Sequence, residues 1–423
     1  MTSSPLLAPT FDRAVTAGGW AFLGRTLVRA SGFVRTLVLA RLLSPHDFGV
    51  MGTALVILSA IEAFTSTGFE AALVQRRSDV EQFYDSAFTM QVVRGICLAV
   101  LLWLTAPAAA AFFGGPTLVP VLRAVGLVLI LRGFVNPAKL RFMRELRYDT
   151  LFWWTLPEVV VSLVLAIGLG VVLRNVWALV ITVIGSQAIA TVVSHLIARR
   201  RPRFALDWSR IREIVHYSKW VFATHIMDFL IMQGDNAFIA KALGLGPLGF
   251  YQVAFRVAEL PVRGFTQVVG DVGLPSLSAL QSERDRLTAW YFAAQRVVLL
   301  VQAIFVVPIL LFGGPLTHAL LGPRWMPIVP TLKILAVAMV LRSFLVIAST
   351  LFNALGEPRF SYQMHAARAA LMALTMYPLA RFMGLEGVAT AVLISVTGAT
   401  LVYVRMLRAS MSIRWVEHFR RLL

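Results

Sequence analysis

The sequence predicts an all-α polytopic membrane protein, and two observations lead to that prediction. Of its 423 residues, 58% are hydrophobic and only 14% are charged, whereas about a quarter of the residues of a soluble domain are charged. Apolar runs of about 20 residues, the length a helix needs to cross a bilayer, recur along the whole chain.

The charged residues are strongly unbalanced, with 39 Lys+Arg against 21 Asp+Glu and a net charge of +18. Such an excess often indicates nucleic-acid binding. In so apolar a chain it indicates instead that basic residues are concentrated on one side of a membrane, and we expect no nucleic-acid partner.

The apolar runs predict about twelve transmembrane helices, six in each half of the chain. The remaining residues are divided among short loops and tails, so no large domain outside the membrane is expected. The predicted spans are 15–40, 49–74, 84–112, 118–137, 151–173, 176–198, 215–243, 248–275, 289–312, 327–352, 361–383 and 386–408.

The distribution of basic residues between these spans predicts the orientation, because cytoplasmic loops carry the excess of Lys and Arg. With the N-terminus in the cytoplasm, the inner loops and tails hold 21 basic residues and the outer loops hold five. The five outer residues are Arg41, Arg174, Lys241, Arg324 and Arg381. This asymmetry predicts an even number of spans, with both termini cytoplasmic.

The two halves of the sequence align with one another, which predicts an internal repeat. An offset of 200 aligns Trp20 with Trp220, Arg41 with Lys241 and Gly49 with Gly249, and an offset of 210 aligns Arg132 with Arg342. Because each half holds an even number of spans, both halves insert in the same orientation. Parallel repeats of this kind are typical of transporters whose substrate site lies between the halves.

The repeats and the charge pattern predict four regions. They are an N-terminal six-helix lobe (1–198), a cytoplasmic interfacial linker (199–213), a C-terminal six-helix lobe (214–409) and a cytoplasmic amphipathic tail (410–423). The linker and the tail combine arginines with aromatic residues, as helices that lie on an anionic membrane surface do.

The eighth predicted span carries a polar stripe. Its members recur at helical spacing within an arc of about 60°: Gln252, Arg256, Glu259, Arg263 and Gln267. Because charges at membrane depth are costly, the stripe is expected to face either a watery cavity or a structural Arg–Glu–Arg network. Pro261 lies within it and is expected to act as a hinge, since proline kinks helices.

The first span adds Arg25 and Arg29, one helical turn apart on a face of small residues. They form either an anion-lined wall or a close helix crossing, whereas Arg35 is expected to snorkel towards the surface. Most of the other basic residues in the spans, a group to which Arg94 belongs, lie near a predicted end and are expected to snorkel as well. The repeat-equivalent Arg132 and Arg342 are expected to have a structural role.

Acidic residues within the spans are expected either to neutralise the arginines or to titrate as ion-coupling sites. Besides Glu259, they are Glu62, Glu70, Asp228 and Asp235. Catalytic signatures such as a Walker A or HExxH sequence are absent, and Cys97 is a lone cysteine. We therefore expect no enzyme, no metal site and no cofactor.

Several segments resemble a known family. They are LARLLSPHDFGV (39–50), GFEAALVQRR (68–77), GDNAFIAKALGLGPLGFYQVAFRVAELP (234–261), LPSLSAL (274–280), GPRWMPIVPTLKILA (322–336) and NALGEPRF (353–360). The chain resembles the polysaccharide and oligosaccharide flippases (the polysaccharide transporter family) of the multidrug/oligosaccharidyl-lipid/polysaccharide exporter superfamily.

The resemblance implies two six-helix lobes that form a V and alternate access to a central cavity. It also implies translocation of undecaprenyl-pyrophosphate-linked repeat units across the bacterial cytoplasmic (inner) membrane, for exopolysaccharide, capsule or O-antigen synthesis. A glycan polymerase and assembly proteins are expected as further partners. Members have twelve to fourteen helices, and this sequence is expected to have twelve, without the two additional C-terminal spans of some relatives.

For such a substrate, four arginines are expected to bind the pyrophosphate, since guanidinium groups pair with phosphate oxygens. They are Arg25, Arg29, Arg256 and Arg263, with Gln252 and Gln267 directed to the sugars. Two alternatives stay open: a drug or cation antiporter of the same superfamily, which would need an acidic cavity, and a non-catalytic membrane component of a polysaccharide-assembly complex.

Overall fold

The structure, a computed structural model, describes residues 11–65, 80–198, 200–205, 226–227, 229–268, 277 and 283–411. Within these ranges every regular element is helical. In chain order the helices are α1 (Phe11–Leu42), α2 (Pro45–Phe64), α3 (Val80–Phe113), α4 (Leu118–Gly133), α5 (Ala138–Arg144), α6 (Tyr148–Leu173), α7 (Val176–Ile197), α8 (229–242), α9 (Leu245–Val268), α10 (Arg284–Leu320), α11 (Val329–Ala354) and α12 (Pro358–Met411).

Seven segments of the described chain are long and apolar enough to cross a membrane. They are Pro45–Phe64, Tyr84–Phe113, Tyr148–Leu173, Val176–Ile197, Arg286–Leu320, Pro323–Ala354 and Arg359–Leu407. The predicted class, an all-α protein that crosses the membrane several times, is therefore confirmed. The count of twelve spans stays a prediction.

The chain divides into two compact units, Met1–Gly249 and Phe250–Leu423. The lobe and linker boundaries expected from the sequence stay a prediction. Most of the predicted linker and nearly all of the predicted tail lie outside the described residues.

Pairs of packed helices build the first unit: α3 packs on α4, α6 on α7 and α1 on α6. Two glycines bring α3 and α4 together. A Cβ atom at Gly95 would lie 2.5 Å from the carbonyl oxygen of Leu129, and one at Gly133 would lie 2.7 Å from that of Gln91. The absence of side chains at these two positions lets the backbones approach, as is common between membrane helices.

The start of α2 is fixed by its own sequence. The backbone N–H of Asp47 donates to Ser44 Oγ at 3.2 Å, and that of Ser44 donates to Asp47 Oδ2 at 3.0 Å. This reciprocal capping box satisfies two backbone donors at the helix end, and Pro45 at the first turn suits the helix start. The predicted loop between the first two spans is thereby reduced to a sharp turn.

The beginning of the predicted linker is described over 200–205, where it runs along α3. The backbone N–H of Arg203 donates to Asp85 Oδ1 at 3.0 Å, and that of Ala205 donates to Thr89 Oγ1 at 3.0 Å. The guanidinium of Arg200 lies 4.8 Å from the ring centroid of Tyr84. These contacts hold the segment against the first two turns of the predicted third span.

In the second unit, α11 packs against both α10 and α12. Helix α12 reverses direction at Gly384, whose φ of 57° and ψ of −128° are not helical. A Cβ atom at Gly387 would collide with the backbone of Leu379, and one at Gly398 with the side chain of Leu371. Its two arms therefore form an antiparallel hairpin, with the turn between the predicted spans 361–383 and 386–408.

Candidate functional site

The first unit contains an arginine that is held by two other helices. Arg132, near the C-terminal end of α4, donates from Nη1 to both carboxylate oxygens of Glu62 on α2, at 2.6 and 2.8 Å. Its Nε donates to Gln187 Oε1 on α7 at 3.4 Å. Side chains from three helices thus meet at one guanidinium group.

Further charges surround this pair. Arg94 on α3 donates from Nη2 to the backbone carbonyl of Glu62 at 3.1 Å and to Thr65 Oγ1 at 3.3 Å. Glu158 on α6 interacts electrostatically with a set of three basic residues, Lys139, Arg132 and Arg35.

We call these six charged residues and Gln187 the basic cluster: Arg35, Glu62, Arg94, Arg132, Lys139, Glu158 and Gln187. It holds four basic residues and two acidic ones, so its own net charge is positive. A positively charged set of guanidinium groups with amide support is chemically suited to bind an anion.

The repeat-equivalent arginine of the second unit is paired in the same manner. Arg342 on α11 donates from Nη1 to Glu259 Oε1 on α9 at 3.3 Å. Each unit therefore joins two of its helices by an Arg–Glu pair, which gives the expected structural role of Arg132 and Arg342 a geometric basis. The two pairs differ in access, since the side chain of Arg132 is 46% exposed and that of Arg342 only 15%.

The predicted binding residues are distributed over both units. Arg25 and Arg29 are half-buried on α1, Gln252 is half-buried on α9, and Arg256 is exposed on α9. The backbone of α9 includes Pro261, Arg263 and Gln267, but their side chains lie outside the described part of the structure. The roles assigned to these residues stay predictions.

The predicted acidic residues have different surroundings. Glu62 and Glu259 are paired with arginines as above, and Asp235 is buried on α8, where its Oδ1 accepts a hydrogen bond from the backbone N–H of Asn236 at 2.8 Å. Glu70 and Asp228 lie outside the described residues. In the described part of the chain no group of three or more His, Cys, Asp or Glu side chains could hold a metal ion.

Sequence reasoning missed three features of the basic cluster. Arg35 does not snorkel to the surface, because it donates to Ser162 Oγ on α6 and lies near Glu158. Arg94 does not snorkel either, because it binds the end of α2. Glu158 was not predicted as a site residue, although a lone carboxylate in an apolar run is itself a signal of a buried partner.

The all-helical fold, with several helices long and apolar enough to cross a membrane, defines the class: a multi-pass, all-α membrane protein with a transporter fold. Over 95% of this chain and 89% of that chain, the fold matches the lipid II flippase MurJ in an inward closed conformation, with a TM-score of 0.76 and 12% identity. A multidrug resistance MATE family transporter in an inward-facing conformation matches 90% of this chain and 94% of that chain, with a TM-score of 0.72 and 16% identity.

The chain belongs to the polysaccharide biosynthesis protein family, whose pattern its residues 38–330 match. It is similar to the succinoglycan biosynthesis transport protein ExoT of Rhizobium meliloti, with 24% identity over 78% of this chain and 68% of ExoT. It is also similar to the lipopolysaccharide biosynthesis protein WzxC of Escherichia coli, with 21% identity over the same shares of the two chains. The family resemblance read from the sequence is therefore confirmed.

Proposed function

We propose that this protein is a flippase that moves undecaprenyl-pyrophosphate-linked oligosaccharide repeat units from the cytoplasmic to the outer leaflet of a bacterial cytoplasmic membrane. The repeat units would serve exopolysaccharide, capsule or O-antigen synthesis. Two six-helix lobes would alternate access to a cationic interior, with both termini in the cytoplasm. The protein acts as a transporter and not as an enzyme, and a glycan polymerase and assembly proteins are its proposed neighbours.

The observation that supports this proposal is the combination of the family with arginines inside the predicted spans. A lipid-linked saccharide is anionic at its pyrophosphate, polar at its sugars and apolar at its tail. Arg25, Arg29, Arg256 and Arg263 supply guanidinium groups for the pyrophosphate, and Gln252 and Gln267 supply amides for the sugar hydroxyls. Pro261 is the proposed hinge, and Glu62, Glu70, Asp228 and Asp235 are the proposed acids of the cavity; the fifth predicted acid, Glu259, is buried in its pair with Arg342.

Gene deletion tests the proposal directly. We expect undecaprenyl-linked repeat units to accumulate on the cytoplasmic leaflet, while surface glycan disappears and a plasmid copy of the gene restores it. A deletion strain whose repeat units still reach the outer leaflet would contradict the proposal. Repeat units that cross normally but stay unpolymerised would instead indicate an assembly component of the pathway.

Glu259 argues against the drug or cation antiporter, because this carboxylate is already neutralised by Arg342. The substitution Asp235→Asn distinguishes the antiporter from the flippase. In an antiporter this substitution would remove a cation-binding or proton-binding group and lower drug resistance. In the proposed flippase, the substitution affects glycan export and leaves drug resistance unchanged.

A further inference from the structure

We propose that Arg132 is the first binding position for the pyrophosphate of the substrate, and that Glu62 occupies this position as an internal counter-ion when substrate is absent. The inference rests on the proposed function, which it deepens by naming where the anionic headgroup is first held. From the sequence, a structural role was expected for Arg132 before a ligand role.

The hydrogen bonds of the Arg132–Glu62 pair leave donors for another anion. Both oxygens of Glu62 are bound by the same nitrogen, Nη1, at 2.6 and 2.8 Å. A phosphate would use two guanidinium nitrogens in a fork. Among the described residues, Nη2 makes no hydrogen bond, so a phosphate can take the guanidinium edge of Nη1 and Nη2 as the carboxylate moves away.

The Arg132–Glu62 pair is more exposed than its counterpart in the predicted repeat. The side chains of Arg132 and Glu62 are 46% and 32% exposed, whereas those of Arg342 and Glu259 are 15% and 8% exposed. A half-exposed arginine is expected to face water or lipid headgroups, because its exposure to hydrocarbon is costly. The first pair can therefore exchange its anion with a ligand, while the second pair is closed and structural.

The surrounding charges favour the exchange. Arg35 and Lys139 interact with Glu158 near Arg132, and Arg94 donates to the backbone carbonyl of Glu62, a contact that does not involve the Glu62 side chain. Arg94 consequently remains in place when the Glu62 side chain moves. A pyrophosphate carries more negative charge than the single carboxylate it would displace, so the remaining basic residues of the cluster attract it more strongly.

Arg132 lies near the cytoplasmic end of its predicted span, closer to that end than Arg25, Arg29, Arg256 or Arg263 lie in theirs. It is near the C-terminal end of α4, which the charge asymmetry assigns to the cytoplasmic side. A lipid-linked pyrophosphate in the cytoplasmic leaflet approaches from that side, at the boundary of the hydrocarbon core. The substrate can therefore meet Arg132 before it reaches the arginines deeper in the membrane.

The test measures binding of farnesyl pyrophosphate to the purified full-length protein in lipid nanodiscs, with uncharged farnesol as the probe for tail binding alone. Arg132→Gln is expected to weaken farnesyl pyrophosphate binding about tenfold or more, because charge-assisted hydrogen bonds are lost. Arg132→Lys keeps the charge but not the fork, and its affinity is expected to fall between those of the wild type and Arg132→Gln.

The second arm of the test is Glu62→Gln, for which the opposite change in binding is expected. It removes the competing carboxylate, so binding is expected to become about two- to fivefold tighter, the range typical of a partly exposed ion pair. Normal binding by a folded Arg132→Gln protein overturns the proposal. Weaker binding by Glu62→Gln also overturns it, and this arm remains informative if Arg132→Gln fails to fold.

Two control variants separate a local effect at Arg132 from a general effect of lost charge. Arg141→Gln removes the same charge from an exposed pair with Glu145 at the end of α5 and is expected to bind farnesyl pyrophosphate normally. Arg342→Gln breaks the buried pair and is expected to lower thermal stability while the folded fraction still binds. Loss of binding in either variant equal to that of Arg132→Gln would indicate a general charge effect and overturn the assignment.

The outcome is also separable from that of the proposed function. If glycan export requires the protein but Arg132→Gln exports and binds normally, the Arg132 site is wrong and the flippase stands. If Arg132 governs farnesyl pyrophosphate binding but deletion leaves repeat units crossing the membrane, the site stands and the flippase function is wrong.

Discussion

Gly49 and Gly249 pass so close to one another that neither position has room for a side chain. A Cβ atom at Gly49 would lie 1.6 Å from the carbonyl oxygen of Leu245, and one at Gly249 would lie 1.8 Å from that of Pro45 and 3.0 Å from the backbone nitrogen of Gly49. The two glycines are 200 residues apart and equivalent in the predicted repeat. The first turns of α2 and α9 therefore meet in a nearly symmetric backbone crossing.

We expect Gly249→Ala to separate these two turns and destabilise the protein by about 1–3 kcal/mol, the usual cost of overpacking. Thermal unfolding of the purified full-length protein in detergent measures the effect. Gly246→Ala is the matched control, because it lies in the same first turn and its Cβ atom would meet nothing within 4 Å. Equal unfolding midpoints for the two variants would show that the crossing is not tight.

The buried Arg342–Glu259 pair is expected to matter more for stability than an exposed pair. Arg342→Gln removes one ion-pair partner of the buried Glu259 carboxylate, and breaking a buried ion pair costs about 3–5 kcal/mol. Arg141→Gln disrupts the exposed Arg141–Glu145 pair and is expected to cost at most about 1 kcal/mol. Thermal unfolding of both variants checks the order, and similar losses would contradict the burial of the first pair.

Removal of the two arginines of α9 is expected to abolish glycan export. The double variant Arg256→Gln with Arg263→Gln takes away two of the proposed pyrophosphate ligands, and surface glycan in the complemented deletion strain measures the result. Membrane abundance must equal that of the wild type. Arg381→Gln, a change at an exposed arginine, is expected to export normally. Normal export by the double variant would exclude these arginines as substrate ligands.

Replacement of Gly384 is expected to strain the turn of the α12 hairpin. Its φ of 57° is combined with a ψ of −128°, a conformation that costs other residues about 1–3 kcal/mol. Gly168→Ala, within α6 and with free space around the new methyl group, is expected to gain up to about 1 kcal/mol. Opposite shifts of the unfolding midpoint are therefore expected, and a neutral Gly384→Ala would contradict the strained turn.

Much of the fold could be predicted because it depends on local composition. Each predicted apolar segment overlaps a described helix, and even the turn at Gly384 falls in the gap between the spans 361–383 and 386–408. Length and hydropathy suffice for this, since a backbone in lipid must satisfy its hydrogen bonds within its own segment. The last part of the predicted second span, 66–74, lies outside the described residues.

The site was less predictable than the fold. Repeat alignment paired Arg132 with Arg342 as equivalent positions, but it did not give their partners. Glu62 and Arg132 are 70 residues apart in the chain, and Glu259 and Arg342 are 83 residues apart. A helical stripe shows which residues share a face, but it does not show which neighbouring helix that face meets.

The sequence by itself determined the membrane class, the apolar segments, the repeat and the family resemblance, because each depends on residue types and their spacing along one chain. Only the tertiary structure decided which charges neutralise one another, that Arg35 and Arg94 turn inwards, and that one Arg–Glu pair is open while its repeat equivalent is closed. These outcomes depend on how each helix is rotated against its neighbours, and packing between side chains distant in sequence sets that rotation.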